Sequence, residues 1–161
     1  MGNVYATTTV IGIRRQLDTD KDSVSFARLL KEIQENSEVL SRDRYVALHE
    51  GSVIPVQIAS SHFDRFAGAG YPYVNSARVD LDLCILKQKA AGIRKFANKR
   101  IAHFDRSDFA NLPTYAELDD CLDYLEDLLK KYLALFRAEM HSIIPVWQFD
   151  WKAIFRVPWI V

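Results

Sequence analysis

An all-α helical bundle is what this sequence predicts, and three features carry the prediction. A capped amphipathic helix stands near the carboxyl end, a second long helical pattern precedes it, and period-two apolar runs are too scarce to build a sheet. In chain order, the first helix is expected from roughly Tyr5 to Leu17. Thr7-Thr8-Thr9-Val10-Ile11 is β-branched and reads alone as a strand, but Ile13, Leu17 and the lack of partner strands favour a helix. Shorter helices follow over Ser23 to Gln34 and Ser41 to His49. Gly68-Ala69-Gly70-Tyr71-Pro72-Tyr73 is a breaker cluster that predicts a loop. The second long helix is expected from Ser76, as N-cap, toward His103 through Val79, Leu83, Leu86, Ala90, Ile93 and Phe96. Asp105 to Pro113 reads as a turn that sets the two long helices antiparallel. The last helix runs from Thr114 to about Met140. Thr114-Tyr115-Ala116-Glu117 is a capping box, and Leu118, Cys121, Leu122, Leu125, Leu128, Leu129, Tyr132, Leu133 and Phe136 recur at three- and four-residue steps.

With 161 residues and 49% hydrophobic content, the chain is expected to form a single domain over 1–161 with a real core. Lys plus Arg and Asp plus Glu number 21 each, so no bulk charge announces a nucleic-acid partner, and any such binding is local. Cys84 and Cys121 lie in helix-patterned segments without metal-ligand spacing and read as buried thiols of a reducing cytoplasm. No apolar run is long enough to span a membrane and the start lacks an export signal, so a soluble cytoplasmic protein is expected. Glu117, Asp119, Asp120, Asp123, Glu126 and Asp127 read as a solvated helix face rather than a metal site. Neither a metal nor another cofactor is expected.

Chemistry concentrates in Phe96-Ala97-Asn98-Lys99-Arg100-Ile101-Ala102-His103-Phe104-Asp105. A histidine titrates near neutrality, and neighbouring cations can hold a phosphodiester, a combination suited to RNA cleavage without a metal. The plainer reading makes His103 a helix C-terminal cap. Lys87, Lys89, Arg94, Lys95, Lys99 and Arg100 form an acid-free basic strip, which reads equally as dipole complementarity or as a phosphate-binding surface. His62-Phe63-Asp64-Arg65 and His103-Phe104-Asp105-Arg106 repeat one tetrapeptide without aligned flanks, a coincidence that leaves paired metal ligands only as a minor alternative. Gly68-Ala69-Gly70 lacks the third glycine and Lys-Ser/Thr of a nucleotide cradle. Trp147, Phe149, Trp151, Phe155 and Trp159 form an aromatic carboxyl end expected to pack on the bundle, with a dimer interface as the alternative.

Asn98-Lys99-Arg100-Ile101-Ala102-His103-Phe104-Asp105 between two helices resembles the signature of HEPN domains. Arg14-Arg15-Gln16-Leu17-Asp18, Ser25-Phe26-Ala27-Arg28-Leu29-Leu30 and Trp151-Lys152-Ala153-Ile154-Phe155-Arg156-Val157-Pro158-Trp159 are similar to the abortive-infection U type branch. The resemblance implies a dimeric all-α bundle that begins within what would be the family's first long helix. In active members it implies a metal-independent ribonuclease acting as a toxin or antiphage effector, with RNA and a cognate antitoxin protein as partners.

Carried over by position, His103 matches the motif histidine, Asn98 its polar residue, and Asp105 an aspartate common in the branch. Ala97 stands where the branch has arginine. At roughly 100° per residue, Arg100 and Lys99 lie about 60° and 40° from His103 and offer substitute cations. Asn98 lies about 140° away, so it reaches the site only where the helix loosens, or by facing the histidine of a second chain. The expected site is therefore His103, Asn98 and Arg100 for catalysis, with Lys99, Arg94, Lys95, Asp105 and Arg106 contacting RNA. The competing expectation is a non-catalytic domain that binds RNA or a protein through the same strip; a folded antitoxin or scaffold is a third.

Overall fold

A computed structural model describes residues 2–102 and 112–138. Among them the backbone is all-α apart from turns and one isolated bridge between Ser41 and Tyr73. The elements are α1 (Gly2–Gln16), α2 (Phe26–Glu35), a 3₁₀ turn (Ser37–Val39), α3 (Arg42–Ala47) and α4 (Val56–Ala67). They continue with α5 (Ser76–Lys89), α6 (Ala91–Phe96), a π-helical turn (Ala97–Ala102) and α7 (Tyr115–Arg137). Residues 103–111 and 139–161 lie outside the described residues, and with them most of the expected turn and the aromatic carboxyl end.

Side-chain caps start the helices where the sequence supplies them. Ser25 Oγ accepts from Arg28 N at 3.0 Å to open α2, and Ser41 Oγ accepts from Arg44 N at 3.3 Å to open α3. The capping box of α7 is complete: Glu117 N donates to Thr114 Oγ1 at 3.2 Å, and Thr114 N donates to Glu117 Oε2 at 2.7 Å. For α5 the cap is Asn75, whose Oδ1 accepts from Ala77 N at 3.0 Å, and Ser76 is the first helical residue rather than the cap. The β-branched run at Thr7–Ile11 is helical, as expected, with Val10, Ile13 and Leu17 turned into the core.

Two further features of the helix pattern depart from expectation. The helix toward His103 is not continuous: Ala90, at φ −87° and ψ 0°, ends α5, and α6 resumes after it. Ala90 is fully buried and Gly92 stands two residues on, so close packing and a poor helix former meet near the break. The second departure is α4, which begins after Pro55 and buries Ala59, Phe63, Phe66 and Ala67.

The breaker cluster is a loop, and Gly68 opens it at φ +97°. A Cβ there meets that backbone strain and the Tyr71 ring at 3.4 Å, so glycine is required. Arg42 then ties α3, α4 and this loop together. Its guanidinium donates to Asp64 Oδ1 at 2.6 Å, to the carbonyls of Tyr71 at 2.8 Å and Gly68 at 3.2 Å, and to Ser60 O. It also stacks 5.0 Å from the Phe63 ring centroid. In the first copy of the repeated tetrapeptide, Phe63 is thus core, Asp64 is an ion-pair partner, and His62 is exposed.

One buried cluster joins α1, α2, α4, α5, α6 and α7, with α2 against α5, α1 against α6 and α7, and α5 against α7. Across the α5–α7 contact, Asp82 Oδ2 accepts from Tyr132 Oη at 2.8 Å and from Lys131 Nζ, while Lys89 pairs with Asp120 at 2.6 Å. Burial, then the Asp82 contact, pushes the Tyr132 hydroxyl far above its ordinary range, so it donates at every physiological pH. Cys121 is buried as expected, but Cys84 is exposed, one residue beyond buried Leu83 on the solvent side of α5.

Candidate nucleic-acid interface

The basic strip does not form one surface. Lys89 turns to Asp120 and packs 5.7 Å from the Tyr124 ring centroid. Lys87, Arg94 and Asn98 instead face α1 and, with Arg14 and Arg15, line an open cleft of about 530 Å³. The loop after α1 closes one side with Leu17, Asp18, Thr19, Ser23 and Val24. That loop is held in shape: Asp20 N donates to Asp18 Oδ1 at 3.0 Å, and Ser25 Oγ donates to Asp18 O. Gln16 Oε1 accepts from Phe26 N at 3.1 Å, tying the end of α1 to the start of α2.

Four cations and one carboxylate line the cleft. No carboxylate among the described residues forms an ion pair with Arg15, Lys87 or Arg94, whereas Arg28, Arg42, Lys89, Lys130 and Lys131 are all paired. Arg14 has a partner of another kind: its Nε donates to Asn98 Oδ1 at 2.6 Å, across 84 residues of sequence. That bond fixes the amide orientation of Asn98 and holds one edge of the guanidinium.

Among the expected site residues, the structure brings Asn98 and Arg94 together in this cleft. Lys95 is exposed and does not line it, and Lys99 is exposed on the π turn. Arg100 belongs to the π turn by its backbone, while its side chain lies outside the described residues, as do His103, Asp105 and Arg106. The helix loosens from Ala97 to Ala102, where bonding from i to i+5 replaces the α pattern and draws residues five apart toward one face. Ala97 is 1% exposed, in the core against α1.

Arg14 and Arg15 are the functional candidates that spacing within the basic strip did not reach, because they come from α1. Their signal was an adjacent pair of arginines one residue beyond Ile13, the last full turn of the α1 core stripe. Compared with family models, curated proteins and solved structures, the chain matches none.

Proposed function

We propose that this chain is a metal-independent endoribonuclease of the HEPN type, working as a single helical domain and as a dimer in a toxin or antiphage role. The observation that carries the reading is the Arg14–Asn98 hydrogen bond of 2.6 Å inside a cationic cleft, five residues before His103. Arg14 supplies from α1 the guanidinium that the resembled motif would carry at position 97. The π turn supports the reading in that it loosens the helix at Asn98, the condition under which Asn98 reaches the site. Asp82 pairing with Lys131 and Lys89 with Asp120 support an antiparallel α5 and α7, as a HEPN hairpin requires.

In this mechanism neutral His103 accepts the proton of the ribose 2′-hydroxyl, and the 2′-oxygen bonds to phosphorus. Arg14, with Arg100 or Lys99, stabilises the phosphorane charge. The P–O5′ bond breaks, and the histidine of a second chain, as imidazolium, protonates the leaving oxygen. The products are a 2′,3′-cyclic phosphate and a 5′-hydroxyl.

A second reading has one observation in its favour. Ala97 packs in the core, so the motif arginine has no room at its usual place, as in a non-catalytic domain that binds RNA or a protein partner. Incubation with mixed cellular RNA in EDTA separates the two. Cleavage with cyclic-phosphate ends, lost in His103→Ala and reduced at least tenfold in Arg14→Ala, is expected of the nuclease. Absence of cleavage by folded wild-type protein refutes it in favour of the binding module, and Arg100→Ala tells which second cation contributes.

A further inference from the structure

Lys87, near the end of α5, and Arg94, on α6, stand on either side of the break at Ala90 and both line the cleft. Arg14 and Arg15 oppose them from α1, and the cleft between holds about 530 Å³, within the 300–1,000 Å³ range of pockets that take ligands of nucleotide size. Charges spread along a cleft in this way fit a chain of phosphates rather than a single anion. Arg15, Lys87 and Arg94 pair with no carboxylate among the described residues, which leaves this wall of the cleft cationic and suited to an external anion.

We infer that Arg15, Lys87 and Arg94 form a backbone-binding subsite for single-stranded RNA, which carries successive phosphates through the cleft toward Arg14 and Asn98. The inference rests on the ribonuclease reading for the identity of the polyanion, and it adds binding residues outside the motif segment. Asn98 orients the Arg14 guanidinium at the end of the subsite. Thr19 and Ser23, on the loop wall, place hydroxyl-bearing residues opposite the cations where ribose hydroxyls would pass. The contacts are to backbone, so binding is tolerant of sequence and falls steeply with salt.

The test measures binding of a fluorescein-labelled single-stranded RNA by anisotropy, in EDTA, across a potassium chloride series. His103→Ala is the parent, so that the probe survives. Arg15→Gln, Lys87→Gln and Arg94→Gln are each expected to weaken binding roughly three- to tenfold and to lower the slope of log affinity against log salt by about 0.7. Lys31→Gln, on α2 beside Glu35, is expected to leave both unchanged. Arg15, Lys87 and Arg94 are exposed, and thermal melting confirms that each variant is folded. Binding that is absent in the parent, or equal in the three cleft variants and the parent, overturns the inference even if the wild type cleaves RNA. Cleft-dependent binding without any wild-type cleavage sustains it and refutes only the nuclease.

Discussion

Replacing Arg42 with alanine removes the one side chain that holds α3, α4 and the Gly68–Tyr73 loop in register. The guanidinium is largely enclosed, 16% exposed, while Asp64 is 36% exposed. Hydrogen bonds to charged groups contribute about 1.5–3 kcal/mol each. The carbonyls of Gly68 and Tyr71 sit at a loop edge and regain water when the arginine goes, so their shares do not add in full. The Asp64 pair, the enclosed contact to Ser60 and the lost packing on Phe63 together give a destabilisation of about 3 kcal/mol. For a chain of this length that lowers the melting temperature by about 6–12 °C. Arg42→Lys keeps the charge but not the fork, and recovers about a third of the loss. Urea unfolding followed by circular dichroism reads both, and Asp64→Asn completes a double-mutant cycle whose coupling is expected at about 1–2 kcal/mol. A loss below about 1 kcal/mol for Arg42→Ala would refute the clamp.

Alkaline pH is expected to destabilise the fold. Burial and then the Asp120 carboxylate push the Cys121 thiol from 9.0 to about 11, and burial and then Asp82 push the Tyr124 hydroxyl from 10.0 to about 12. The unfolded chain releases these protons at lower pH than the folded one, so stability is full below about pH 9 and falls as pH rises, by at most about 1.4 kcal/mol per pH unit per group. Denaturation midpoints that stay level from pH 8 to 10.5 would contradict this, and Tyr124→Phe should flatten the decline above pH 10. With an aromatic disulfide reagent, the native protein should expose one reactive thiol, Cys84, and a second, Cys121, only in denaturant. Thr114→Ala should cost about 1 kcal/mol by opening the α7 cap, seen as a lower urea midpoint with unchanged slope. Ala97→Arg, which places an arginine where the resembled motif has one, should destabilise by at least about 3 kcal/mol because it forces a guanidinium into a site 1% exposed. A folded, equally stable Ala97→Arg protein would show that the core yields there.

What was legible in the sequence is what local rules write down. The α7 start was readable because a capping box needs only four adjacent residues, and the Gly68–Tyr73 loop because glycine and proline act locally. Helix α4 was missed although Ala59, Phe63, Phe66 and Ala67 follow helical spacing. The stripe begins with a small residue, and Ser60-Ser61 dilutes it with poor helix formers. The break at Ala90 leaves little trace, since alanine is the best helix former and only Gly92, two residues on, hints at it. Cys84 misled because an apolar neighbourhood in sequence says nothing about which side of the helix a residue occupies. In the candidate site, Asn98 and Arg94 were readable from the basic segment, but Arg14 was not, because its role depends on α1 lying against α6.

The composition of the cleft follows from that packing. Leu86, Ile93 and Ala97 form the core stripe of the α5–α6 stretch, and Ile13 belongs to that of α1. Four of the polar residues that line the cleft are the next residue on: Lys87, Arg94 and Asn98 on one side, Arg14 on the other. A step of about 100° carries such a residue from the buried seam to its flank. Two helices that pack through their stripes therefore present these flanks to each other across a groove, wherever the seam is tight enough to exclude the long side chains. Ala97 makes it tight. A small residue there lets α1 approach, and the approach is what brings the Arg14 guanidinium within 2.6 Å of Asn98. Position 97 thus serves the packing of the seam, and the guanidinium beside Asn98 comes from α1.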